Sequence, residues 1–132
     1  MSKEAVKLEV KMPLSDVLVL NQELQQMNRE KEISFVVKYK LVKLLEKTQS
    51  LVKKFNETKL ELFKKYGKED KKIKGNFSLN DATPANYKKG MDELTKLIEV
   101  EEIFTEFAFD IKDFENVKSE VGYFQIFKFM NT

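Results

Sequence analysis

Residues 34–66 read SFVVKYKLVKLLEKTQSLVKKFNETKLELFKKY, and this stretch decides the fold. Val37, Leu41, Leu44, Thr48, Leu51, Phe55, Thr58 and Leu62 recur at alternating steps of 4 and 3 residues. Lys and Glu fill most positions between them. That heptad rhythm predicts a single helix over 34–66, about 50 Å long at 1.5 Å per residue. Leu45, Val52 and Phe63 widen the apolar stripe beyond a two-position seam. A widened stripe favours packing inside a globular domain over an isolated coiled-coil dimer. Thr48 and Thr58 also weaken the seam as a self-sufficient zipper.

Outward from this helix, the N-terminal side begins with a strand. In 7–12, Leu8, Val10 and Met12 alternate with Lys7, Glu9 and Lys11, and Pro13 stops the pattern. Ser15 offers an N-cap, and Val17, Leu20, Leu24 and Met27 then follow at helical spacing, which predicts a helix over 15–28. On the C-terminal side, Gly67 marks the end of the long helix, and Lys68 to Lys74 reads as an exposed turn. Gly75-Asn76 punctuates a short hairpin between 72–74 and 77–79. Thr83-Pro84 is a helix start, and Tyr87, Met91, Leu94 and Ile98 extend it over 84–99. Gly90 inside that helix is expected to admit another backbone.

After Glu99 the period changes to two. Ile103, Thr105, Phe107, Phe109 and Ile111 share one face, which predicts a strand over 102–112. A second strand is expected over 122–130, with Tyr123, Phe127 and Phe129 on one face and Phe124, Ile126 and Met130 on the other. Being apolar on both sides, it is either a central strand or an interface strand. The expected architecture is α+β in one domain. A long helical hairpin and a third helix pack with a small antiparallel sheet of N- and C-terminal strands.

Composition narrows the chemistry. The 132 residues contain neither Cys nor His, which removes disulfides, thiolates, imidazole bases and imidazole metal ligands together. Glu99, Glu101, Glu102 and Glu106 crowd one segment, but strand alternation explains them as a solvated face. Gly67, Gly75, Gly90 and Gly122 are scattered singly and build no phosphate loop. No cofactor, metal site or catalytic residue is expected. The first residues lack a signal-peptide core, and no apolar run is long enough to insert into a membrane.

Charge is uneven along the chain. Residues 1–75 hold 17 Lys, one Arg and 11 acids, giving +7; residues 76–132 hold six Lys and 11 acids, giving −5. Thirteen lysines lie between Lys38 and Lys74. Phosphate affinity needs such charge, but the lone Arg29 leaves little for base reading. Glu57 and Glu61 beside Lys53, Lys54, Lys64 and Lys65 read as a helix face laced with ion pairs, which ranks a non-specific, salt-sensitive nucleic-acid-binding protein third, below the protein-contact readings.

The segments KLEVKMPLSD, LELFKKYGKED, FSLNDATPANYKKGMDELTKL and IEVEEIFTEF, in this order, resemble a family of small uncharacterised tailed-phage proteins encoded among virion and tail genes. The similarity spans residues 7–106. The resemblance implies a virion component of the tail or head–tail region, or a small phage-encoded binder of a host protein. The expected location is accordingly the virion or the cytoplasm of the infected cell. The expected partners are other virion proteins, copies of the chain itself, or a host protein. Contact is expected to run through the seam residues Leu41, Leu44, Leu51, Phe55 and Leu62, and through Phe124, Ile126 and Phe127 of the two-faced strand. Their role is packing within the subunit or across an interface.

Overall fold

A computed structural model describes residues 9–105, 109–115 and 125–131 of the chain. The fold is α+β, with a helical hairpin, a third helix and a small antiparallel sheet of N- and C-terminal strands. Strand β1 (Val10–Pro13) leads directly into helix α1 (Leu14–Met27). Pro13, rather than Ser15, caps α1 and contributes no side-chain cap bond. The helix starts early because the Leu14 N–H, an orphan donor of the first turn, is satisfied by the Val100 carbonyl at 2.8 Å.

Helix α2 (Phe35–Tyr66) occupies the span that the seam predicts and is about 48 Å long. Its start is fixed by Ser34, whose hydroxyl accepts the Val37 N–H at 3.3 Å. The seam is used unevenly. Val37, Leu41, Leu44, Thr48 and Phe55 are buried, Leu51 and Leu62 are half-buried, and Thr58 is exposed. Helix α1 covers the first half of α2, where the Asn21 amide donates to the Thr48 hydroxyl at 3.0 Å. Helix α3 (Pro84–Ile98), capped by Thr83, packs on α2 farther along. One long helix thus serves as the spine for two shorter ones.

Beyond α2, strand β2 (Lys68–Glu69) pairs antiparallel with β3 (Phe77–Ser78). This hairpin is wider than the turn expected around Gly75-Asn76. The Asp70 N–H closes it on the Asn76 carbonyl at 2.7 Å, and Gly75 supplies a φ of +85°. Gly90 admits the side chain of buried Leu79, not a backbone: a Cβ at Gly90 would stand 2.8 Å from Leu79 Cδ2.

The expected strand over 102–112 is corrected. Strand β4 (Glu101–Phe104) pairs antiparallel with β1, Val10 opposite Phe104 and Pro13 opposite Glu101. Farther on stand β5 (Phe109–Asp110) and a 3₁₀ turn (Ile111–Phe114). Asp110 and Asp113 form a reciprocal capping box there, which bends the chain where alternation alone reads as strand. The strand over 122–130 is corrected likewise. Residues 122–124 lie outside the described residues, Ile126–Phe129 is a 3₁₀ turn, and only Met130–Asn131 is strand (β6). β6 pairs with β5 in parallel, Phe109 opposite Met130.

The core lies between these parts. Phe104 and Phe129, both fully buried, meet edge to face with centroids 5.5 Å apart. Met12, Val17, Leu20, Leu24, Leu41 and Leu44 belong to the same core, with Phe109 and Ile126 among others.

Candidate interaction surfaces

The expected contact residues divide by their position on the spine. Leu41, Leu44 and Phe55 are consumed by packing inside the subunit. Leu51 and Leu62 sit half-covered farther along α2. Ile126 is buried in the core beneath α1. Phe124 and the Phe127 side chain lie outside the described residues.

The segment bearing Ile126 is held by a carboxylate. Glu23 of α1 is buried, and its oxygens accept the Gln125 N–H at 3.0 and 3.2 Å and the Ile126 N–H at 3.2 Å. Two turns earlier on α1, Asp16 pairs with Lys128 at 3.4 Å. Burial raises the Glu23 carboxyl above its ordinary value, and the Ile126 and Gln125 N–H bonds and the Lys128 charge oppose that rise. An ionised carboxylate supplies only acceptors, which is what two backbone donors at the start of a 3₁₀ turn require. The role of Glu23 is therefore architectural.

A different group faces solvent. At the start of α2, Phe35 is 90% exposed, Val36 69% and Tyr39 67%. Phe35 and Tyr39 are four residues apart and Val36 and Tyr39 three, so Phe35 and Val36 each neighbour Tyr39 on the helix surface. Lys43 places its ammonium 5.5 Å from the Tyr39 ring centre, and Lys40 is exposed beside it. The patch lies outside the heptad seam. The signal that marks it in sequence is this displacement: Phe35 and Tyr39 repeat at helical spacing on a face that Val37 and Leu41 do not share.

A groove of about 470 Å³ runs beside α1 and the middle of α2, lined by Asn21, Gln25, Gln49, Val52, Asn56 and Leu60 among others. Four of its eight lining residues carry amides, Val52 and Leu60 are apolar, and Lys53 and Glu57 add one charge of each sign. The acids that crowd residues 99–102 are exposed at Glu99 and Glu101 and half-buried at Glu102. Among the described residues, no group of three or more acidic side chains is placed to hold a metal ion. Among the same residues, no helix is long and apolar enough to cross a membrane.

The ion-pair lacing expected along α2 is corrected. Among the described residues the ion pairs within 4.0 Å are Lys11–Glu9 and Lys128–Asp16, and neither involves α2. Several α2 lysines turn instead to aromatic faces or carbonyls. Lys47 sits 4.8 Å above the Phe104 ring and donates to the Ile103 carbonyl at 3.3 Å. Lys59, Lys64 and Lys65 lie over Phe55, Phe77 and Tyr66. Lysine stems cover apolar surface this way while the ammonium stays wet.

No family model matches the chain, and neither a curated protein nor a solved structure matches it.

Proposed function

We propose that this chain is a non-enzymatic assembly protein that acts through protein–protein contact in a tailed-phage virion, in the tail or head–tail region. The observation that carries the contact reading is the Phe35, Val36 and Tyr39 patch. Three large apolar side chains held in water on one helix face mark a surface kept for a partner. Tyr and Phe anchors rimmed by charged side chains match the anatomy of protein interfaces. The virion setting rests on the resemblance of residues 7–106 to small tailed-phage proteins.

Mass spectrometry of purified virions tests the setting. Detection at stoichiometric copy number supports it, and detection only in the lysate of infected cells overturns it in favour of a host-directed binder. Incorporation of a Phe35→Asp/Tyr39→Asp variant tests the patch. The variant is expected to fold and to be lost from particles; undiminished incorporation would remove the patch from the contact.

A further inference from the structure

We propose that the distal tip of the α2 arm is a binding surface for the phosphate backbone of duplex DNA. This surface lies at the far end of α2 from the Phe35 patch and serves a second kind of partner. It consists of Lys64 and Lys65 in the last turn of α2, Lys68 in β2, and Lys71, Lys72 and Lys74 in the hairpin loop, all exposed. Residues 64–76 hold these six lysines against two acids, a net charge of +4 in one continuous stretch at the end of α2.

The loop is built to turn its lysines outward. Its two acids are engaged by its own backbone: Glu69 Oε1 accepts the Gly75 N–H at 3.0 Å, and Asp70 Oδ1 accepts the Lys72 N–H at 2.7 Å. The Asn76 N–H to Ile73 carbonyl bond and the positive φ of Gly75 fix the apex. Between Lys72 and Lys74 stands Ile73, 58% exposed. Among the described residues no carboxylate lies within 4.0 Å of any of the six ammonium groups. The other acids near the tip, Glu61 and Glu93, share a wall with Lys65 and Tyr66 on the side of the arm.

The chemistry of the tip selects among polyanions. Lys is a strongly hydrated point charge that suits phosphate without reading bases. A protein partner needs an apolar centre, and the tip offers one Ile. An anionic lipid surface also attracts such lysines, but stable anchoring needs a second, apolar signal, and one Ile supplies little of it. Single strands bind by stacking on exposed aromatic rings, and here Phe77 and Tyr66 are half-buried beneath Lys64 and Lys65. Duplex DNA, with one charge per about 1.7 Å of axis, matches a dense tip with a single apolar wedge.

Fluorescence anisotropy of the full chain with a labelled random-sequence 20-base-pair duplex tests this. Six phosphate contacts predict an affinity loss of about 10³-fold between 50 and 200 mM salt. Lys71→Gln/Lys72→Gln/Lys74→Gln is expected to reduce the log–log salt slope by about three and the loss over that range to about 40-fold. Lys31→Gln/Lys38→Gln, at the opposite end of α2, is expected to leave the slope unchanged. A slope that does not respond to the loop variant overturns the proposal. So does equal or tighter binding of a polyglutamate peptide, of phosphatidylserine vesicles or of the single strand.

Discussion

The carboxylate of Glu23 accepts the backbone N–H of Ile126 at 3.2 Å across 103 residues of chain. The same side chain takes the Gln125 N–H. Two backbone donors, that of buried Ile126 and that of half-buried Gln125, therefore depend on one acceptor. Glu23→Ala is expected to cost about 2–4 kcal/mol, since bonds to a charged partner are lost and the donors are stranded. Urea denaturation measures it; a loss under 1 kcal/mol would mean that another group holds the 125–126 backbone.

Glu23 also sets a pH dependence. Its folded carboxyl titrates above the ordinary value of 4.5 because burial outweighs the bonds that oppose it. The folded state therefore binds this proton more tightly than the unfolded chain does. The contribution of Glu23 to stability is fully present below the unfolded value and is lost as pH rises through the raised folded value. Glu23→Gln removes this titration. The difference between wild-type and variant melting temperatures is expected to grow in favour of wild type as pH falls from 7 towards 4.5. A difference that stays constant over that window would show that Glu23 does not titrate there.

Thr48 sits in the seam and is fully buried. Its hydroxyl accepts from Asn21 Nδ2 at 3.0 Å and donates to the Leu45 carbonyl at 2.9 Å. Thr48→Val keeps the shape and strands the Asn21 donor between the helices. The expected cost is about 1–3 kcal/mol by chemical denaturation. A second change, Asn21→Leu, is expected to return part of it by removing the unmet donor, a coupling that a double-mutant cycle reads.

At Gly67 a Cβ would collide with the Ser78 carbonyl and stand 2.7 Å from the Phe63 carbonyl oxygen. Both obstacles are backbone and cannot step aside. Gly67→Ala is expected to cost about 1–3 kcal/mol and to loosen β2 from β3, raising amide exchange at the tip. At Gly90 the obstacle is the flexible end of Leu79, with Tyr66 Cβ at 3.3 Å. Gly90→Ala gains about 1 kcal/mol of helix propensity against that crowding, so its penalty is expected to be the smaller of the two.

Phe35→Ser and Tyr39→Ser are expected to change stability by less than about 0.5 kcal/mol, because both side chains already stand in water. Thermal melts check this. A large loss would mean that the patch is internal packing and not a contact surface.

Local chemistry was legible wherever it governs the outcome. Thr83 caps its helix through its own hydroxyl, and the Val37 to Phe55 stripe is buried as its spacing demands except at half-buried Leu51. The C-terminal third failed because alternation of Phe109 with Asp110 is compatible with strand and with a capped 3₁₀ turn alike. The choice is made by the Asp110–Asp113 box and by Glu23, whose partners lie 102 and 103 residues away, and no window of sequence contains that pair. The Phe35 patch was missed for another reason. A strong seam directs attention to the residues it aligns and away from aromatics displaced from it. The lysines of α2 were misjudged because favourable i, i+4 spacing permits an ion pair without requiring one.

Glu23 and β1 both complete their bonding with residues beyond Glu101. On a ribosome adding about 5–20 residues per second, Glu23 emerges roughly 5–20 s before Ile126. Until β4 and the 125–126 segment emerge, β1 is unpaired and the Glu23 carboxylate is unburied, even where α1 has already packed on α2. β1 and α1, made before α2, are therefore completed only after α3, and the nascent chain is most exposed to proteases and chaperones along residues 10–27 in that interval.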